Sequence, residues 1–242
     1  REAHSKSANN PRRQTEIATL ITAPADGSVI QAIAATPGIA IGPAHIQVLQ
    51  ILDYPLRGES AAIERERLQK ALGEVRQDIE GLIQRSQSKA IREIFITHQE
   101  MLDDPELTDE VDTRLKQGES AEAAWMAVIE AAARQQESLQ DALLAERAAD
   151  LRDIGRRVLA QLCGVETPAE PDQPYVLVMD EVGPSDVARL DPARVAGILT
   201  ARGGATAHSA IVARALGIPA LVGAGEAVLL LAPGTQLLID GQ

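Results

Sequence analysis

The hydrophobic period of this chain changes twice, and that change restricts the fold more than any single residue does. Between residues 59 and 165, Leu68, Leu72, Val75, Ile79 and Leu82 form one apolar stripe, and Ile91, Ile94, Phe95, His98 and Leu102 form another. Spacings of three and four residues place each set on one face of an α-helix. Before this block, Ile39, Ile41, His45, Ile46, Val48 and Ile51 mix with the turn residues Gly38, Gly42 and Pro43, which reads as β structure. After it, apolar runs at Tyr175 to Met179, Val195 to Thr200, Ala220 to Val222 and Gln236 to Ile239 alternate with helical signals at Ser185 to Leu190 and Ala207 to Leu216. Alternation of that kind belongs to an α/β unit. The expected architecture is an α/β domain with an inserted all-α helical bundle. Residues 1–30 read as a linker or tail, 31–58 and 166–242 as the α/β domain, and 59–165 as the helical domain.

Punctuation inside the block supports four or five helices with short connections, the pattern of an antiparallel bundle. Asp104-Pro105 reads as an N-cap followed by proline at the first helical position. Gly118 ends that helix and Ser120 opens the next, whose face runs through Trp125, Val128, Ala132, Gln136, Leu139 and Leu143. Leu151, Ile154, Val158 and Leu162 form a last stripe ending at Gly164. Gly155 inside it costs about 1 kcal/mol against Ala, so close helix packing is the expected reason for it. Thr167 to Pro174 is Pro-rich and acidic, a linker by composition.

Charge narrows the partners. The formal net charge is −12, and residues 59–165 hold 22 acidic against 14 basic side chains, a balance of −8. Broad nucleic-acid binding needs a basic face and is excluded, whereas a partner with a basic patch suits this chain. No apolar run approaches the roughly 18 residues that a membrane-spanning helix needs, and the polar start carries no secretory core. One cysteine, Cys163, excludes an internal disulfide and a cysteine-rich zinc cluster; a reducing, cytoplasmic setting fits. Cys163 follows Leu162 at a helix end and reads as packing. No His-Glu-x-x-His or paired-carboxylate motif supports a metal in this chain.

The stretch Arg202-Gly203-Gly204-Ala205-Thr206-Ala207-His208-Ser209-Ala210-Ile211-Val212-Ala213-Arg214 carries the most chemistry. It follows an apolar strand and precedes a helix. Its two glycines permit a tight turn and close approach of a ligand. Thr206 is the expected N-cap, which puts His208 in the first helical turn. There the helix dipole disfavours imidazolium, so His208 is expected neutral and nucleophilic. Free backbone N–H groups at the same end can hold an anion. A nucleophile beside a phosphate seat suggests a phosphohistidine, with Thr206 and Ser209 as hydroxyl donors and Arg202 and Arg214 as nearby cations. A Gly-Gly turn into a capped helix is also common structure with no chemistry attached. The residues alone leave both readings open. They do exclude a Walker loop, because no Gly-Lys-Ser/Thr occurs, and dinucleotide spacing is absent.

Gly203 to Arg214 resembles the phosphohistidine signature of phosphoenolpyruvate-utilising enzymes. Thr36-Pro37-Gly38-Ile39-Ala40-Ile41-Gly42 is similar to the opening strand of one branch of that family, enzyme I of the bacterial sugar phosphotransferase system. Glu93-Ile94-Phe95, His98, Leu102 to Leu107 and Glu146 to Gly155 resemble its helical insert. The resemblance runs from about residue 31 to residue 242. It implies a swivelling phosphohistidine domain joined to a bundle that docks the phosphocarrier HPr. It makes His208 the phosphoryl carrier. It gives His98, Asp104, Glu106 and Arg147 as candidates for the carrier interface, although His98, on the apolar face with Ile91, Ile94, Phe95 and Leu102, reads better as a bundle-core histidine. Phosphoenolpyruvate and magnesium belong to a separate C-terminal barrel, so this chain is expected to hold no cofactor itself. The leader before residue 31 fits a fused phosphotransferase polypeptide. Ala205, Ala207 and Val187 depart from the family, which often has a basic residue, a serine and a threonine there; that threonine can hydrogen-bond the active histidine. Two alternatives stand beside this: a swivelling domain of a dikinase-like enzyme, which the helical insert disfavours, and a non-catalytic helical adaptor.

Overall fold

A computed structural model describes residues 22–48, 51–165 and 170–242. The expected tail at residues 1–30 lies outside these residues up to residue 21, and the expected linker at 167–174 lies outside them over 167–169.

Five helices follow the first two strands. Ser60 caps α1 (Ala61–Arg85) through Ile63 N, Ser88 caps α2 (Lys89–Leu102) through Ile91 N, and Asp104 caps α3 (Pro105–Lys116) through Glu106 N. Ser120 caps α4 (Ala121–Ser138) and Asp141 caps α5 (Ala142–Leu162). Each cap satisfies an amide that would otherwise lack a partner in the first helical turn. Gly118, with φ +87°, makes the turn between α3 and α4. The α4 stripe does not run to Leu143. The chain breaks at Leu139–Gln140, where Gln140 takes φ +52°, and Leu139 and Leu143 are 61% and 81% exposed. Asp141 wins there because its carboxylate accepts from the amides of both Leu143 and Leu144, which starts a new helix.

The strands form one mixed sheet in the order β1-β5-β4-β3-β2-β6. They are β1 (Ile33–Thr36), β2 (Ile39–Ile46), β3 (Tyr175–Met179), β4 (Val195–Thr200), β5 (Ala220–Val222) and β6 (Gln236–Asp240). The central strands β2, β3, β4 and β5 are parallel, and β1 and β6 pair antiparallel at the edges. Every residue of β3 is buried. Tyr175, Leu177 and Met179 face the core shared with the bundle, while Val176 and Val178 join a second cluster with Leu199, Val228 and Ile239. A parallel sheet buried on both faces reads as a continuous apolar run, which is what β3 shows. Two short helices, α6 (Pro184–Ala188) and α7 (His208–Leu216), lie on the bundle side, where α6 packs on α5 and α7 on α2.

Gly155 of α5 lies against α4. A Cβ there would sit 2.7 Å from Ile129 Cγ2, and its carbonyl accepts from Trp125 Nε1 at 3.2 Å. Ile129 and Trp125 are fully buried, so neither can yield cheaply. Gly155→Ala gains about 1 kcal/mol of helix propensity but overpacks at about 1–3 kcal/mol. Urea unfolding is expected to show net destabilisation. Ile129→Ala in the same chain is expected to offset it non-additively, since the two changes share one contact.

Candidate functional site at the start of α7

The turn into α7 needs Gly203, which takes φ +111°. Gly204 has open space where a Cβ would lie. The N-cap is Ala207, not Thr206, and Ala207 has no side chain to accept a hydrogen bond. The cap comes instead from 62 residues away, where Glu146 Oε2 of α5 accepts from His208 N at 3.2 Å. A carboxylate therefore already occupies part of the helix N-terminus that was expected to be free for an anion. The physical reason is the same in both cases, since the positive helix end attracts negative charge.

His208 is partly exposed. Its Nδ1 lies 2.7 Å from Asp150 Oδ2, and Asp150 is almost wholly buried. The hydrogen bond to Asp150 raises the His208 pKa above the ordinary 6.5, and burial only partly opposes it. The nearby carboxylates thus act on the imidazole against the helix dipole, which by itself favours the neutral ring. Burial alone would raise the Asp150 pKa, but the His208 bond and the nearby His98 ring hold it below 3.8. With Nδ1 engaged, Nε2 is the ring nitrogen without a hydrogen-bond partner among the described residues.

The ring borders a cleft of about 270 Å³ between the two parts of the fold. Gly204, Ala207 and Ser209 form its α7 side, Gly183 and Pro184 another, and Arg152 and Arg156 its cationic wall on α5. Thr206 and Gly203 do not line it. Neither do Arg202 and Arg214. Arg202 pairs with Asp180 at 2.9 Å, and Arg214 donates to the Ala35 carbonyl at 2.7 Å, which ties the far end of α7 to β1. The cations beside His208 come from the bundle instead. Arg152 bridges Glu130 at 3.0 Å, and Arg156 lies 3.5 Å from Asp153.

Among the carrier-interface candidates, His98 is fully enclosed in the bundle core, so it is not a surface group. Its apolar neighbours on α2 fill the core and carry the ring inward with them. Asp104 is half-buried as the α3 cap, and Glu106 and Arg147 are exposed. No ion pair of Arg147 occurs among the described residues, whereas Arg152 pairs with both Glu130 and Glu137. Val187, which stands where the family often has threonine, is buried, and Asp150 makes the imidazole contact in its place. Burial pushes the Cys163 thiol pKa up, away from nucleophilic character. Asp150, Glu146, Arg152 and Arg156 were not legible as site residues. Their signals are the resemblance of Glu146 to Gly155 to the helical insert, which assigns them no role at the histidine, and the i, i+4 spacing of Glu146 and Asp150, which puts two acids on one face of α5.

An α/β unit that presents a histidine at a helix start, faced by an inserted bundle, is the arrangement that the resemblance to enzyme I implies. Residues 31–147 match the family described as PEP-utilising enzyme, N-terminal, and residues 171–242 match PEP-utilising enzyme, mobile domain. A solution structure of Enzyme I (nEIt) is 34% identical, with a TM-score of 0.66, over 88% of this chain and 90% of that one. The N-terminal domain of Enzyme 1 - Nitrogen is 32% identical with a TM-score of 0.63. The chain belongs to the enzyme I family of phosphoenolpyruvate-utilising proteins, in the part that carries the N-terminal and mobile domains. A multiphosphoryl transfer protein of Rhodobacter capsulatus is 40% identical over 221 residues, which are 89% of this chain and 27% of that protein. A phosphoenolpyruvate-protein phosphotransferase of Streptomyces coelicolor is 37% identical over 226 residues, 88% of this chain and 39% of that protein. The chain thus spans about a third of the length of the curated relatives it matches.

A raised histidine pKa stabilises the fold below the unfolded value of 6.5 and loses that contribution as pH rises through the folded value. A depressed aspartate pKa stabilises above 3.8 and loses that contribution as pH falls. The pair therefore contributes most between those two limits. Asp150→Asn is expected to lower the His208 titration, followed by ¹⁵N NMR of the ring, and to cost more stability at pH 5–6 than above pH 8.

Proposed function

We propose that His208 carries a phosphoryl group between phosphoenolpyruvate and a histidine of an HPr-type phosphocarrier, as the N-terminal part of an enzyme I in sugar uptake. The observation that supports this most directly is the orientation of the ring. Asp150 holds Nδ1, and Nε2 is left to the cleft. In the forward step the Nε2 lone pair attacks phosphorus in line, the N–P bond forms, and the P–O bond to enolpyruvate breaks. Positive charge develops on the ring as the N–P bond forms, and Asp150 meets it across the Nδ1 hydrogen bond. In the second step the carrier histidine attacks, the N–P bond breaks, and His208 returns neutral with its Nδ1–H still donated to Asp150. A protonated ring must first lose its Nε2 proton to solvent, so the raised pKa limits transfer at acid pH.

Phosphoenolpyruvate and magnesium are assigned to a barrel domain of the kind the longer relatives have room for. The groups around His208 do not suit a metal. The Glu146 carboxylate is committed to the His208 amide and Asp150 to its ring. Among the described residues, no group of three or more His, Cys, Asp or Glu side chains is placed to hold one. The acidic bundle surface that includes Asp104 and Glu106 suits a basic carrier face. No helix of the described residues is long and apolar enough to cross a membrane, and a cytoplasmic location fits that reaction.

The test uses these 242 residues, HPr, labelled phosphoenolpyruvate and a catalytic trace of intact enzyme I. Acid-labile, base-stable label is expected on this chain and absent from His208→Ala. Phosphoenolpyruvate alone is expected to leave it unlabelled. An unlabelled chain that still binds HPr would refute the phosphohistidine and favour an adaptor.

A further inference from the structure

Behind Asp150 lies a second buried imidazole that the transfer reaction does not use. Asp150 Oδ1 is 3.3 Å from His98 Nε2, and on the far side of that ring Asp153 Oδ2 is 3.8 Å from His98 Nδ1. His98 and both carboxylates are sealed from solvent, and no hydrogen bond of good geometry forms at either ring nitrogen. A buried polar group without a partner is costly. Its retention between two carboxylates calls for a reason beyond filling the core, which an apolar residue beside Phe95 would do as well. Asp153 is anchored in turn, because its two oxygens accept from Ser185 Oγ at 2.8 Å and Ser185 N at 3.2 Å. The row runs from α6 through α5 and α2 to His208 on α7.

We propose that His98 is a positioning residue for His208: seated between Asp150 and Asp153, its ring offsets charge on the Asp150 oxygen turned toward the bundle, while the other oxygen holds His208 Nδ1. The inference rests on the reading of His208 as the phosphoryl carrier, but it can be tested apart from it. With its proton on Nε2, the His98 ring takes part of the negative charge of Asp150. Without it, a buried Asp150 has only His208 to balance that charge, and the His208 proton is held more tightly. The other charged groups facing the two rings do not substitute for His98. Glu146 of α5 faces the His208 backbone, Glu181 and Glu137 line the cleft, and Arg152 is taken by Glu130. On the His98 side, Arg156 meets Asp153 at 3.5 Å, the buried Arg157 also feels the Asp153 charge, and burial, followed by repulsion from Asp153, pushes the Asp186 pKa up.

Three variants separate positioning from packing. His98→Leu keeps bulk and removes both nitrogens. His98→Gln returns an N–H donor near the Nε2 position. His98→Asn returns a polar group near Nδ1 only, and serves as the second comparison where Leu fails to fold. Ring ¹⁵N NMR of His208 in the full chain is expected to show a titration at higher pH in His98→Leu and His98→Asn, and near wild type in His98→Gln. Transfer from phosphorylated HPr is expected to fall several-fold at mildly acidic pH in the first two and to approach wild type, within about twofold, on the alkaline plateau. An unchanged or lower His208 titration in both His98→Leu and His98→Asn overturns the proposal, as does a Gln variant no closer to wild type than Asn. Absence of label on the wild-type chain would sink the phosphohistidine reading alone, because the titration comparison decides the role of His98 by itself.

Discussion

One buried carboxylate joins the two parts of this protein. Asp150 belongs to the bundle, His208 belongs to the α/β unit, and the 2.7 Å contact between them spans 58 residues of sequence. Burying an ionised carboxylate costs several kcal/mol unless it is paired. Asp150 is enclosed and still held below its ordinary pKa, so its partners outweigh that cost. The same contact orients the imidazole, picks out its free nitrogen and raises its affinity for a proton. Geometry and acid–base behaviour at His208 therefore share one cause, and a change to the bundle is a change to the site.

The regular elements were legible where a local rule is strong. Asp104-Pro105, Gly118 and Ser120 mark helix ends through cap chemistry that depends on a few adjacent residues, and the structure places ends there. The wholly apolar run of β3 was legible for a similar reason, since both faces of the sheet are covered. The break before α5 was not, because Leu139 and Leu143 continue a helical period and yet are solvent-exposed. Periodicity counts apolar residues and cannot tell that an aspartate cap between them has a better use for the backbone. Gly155 was legible as a close approach but not its partner, because Ile129 comes from another helix.

At the site, the candidate histidine could be picked out from the sequence and its environment could not. His208 stands in a glycine turn whose meaning is local. Thr206 looked like the cap because it has the right side chain one position too early. The actual cap, Glu146, and the ring partner, Asp150, arrive through the tertiary fold, and the cations Arg152 and Arg156 come with them. Arg202 and Arg214 were near in sequence but are spent on Asp180 and on the Ala35 carbonyl. Nearness in sequence is a poor guide to electrostatics in a domain interrupted by a bundle of about a hundred residues.

The crowding of acids around a proposed phosphoryl carrier is a consequence of this arrangement and bears on how such a carrier works. In the proposed reaction a phosphoryl group on Nε2 brings negative charge into a cleft lined by Glu146 and Glu181, with Arg152 and Arg156 on the same cleft wall. Like charges at this range repel, and the repulsion strengthens where water is scarce. A site that stabilised the phosphorylated ring fully would hold it and slow its onward transfer, since only interactions stronger in the transition state than in the intermediate speed the step. In the proposed reaction, balanced cations and carboxylates leave the phosphoimidazole bound loosely enough to pass its group on. In that balance Asp150 acts differently from the other acids. It sits on the Nδ1 side, remote from phosphorus, and stabilises the ring charge that appears as the N–P bond forms. One carboxylate thus promotes acceptance of the group while the others on the cleft side favour its departure.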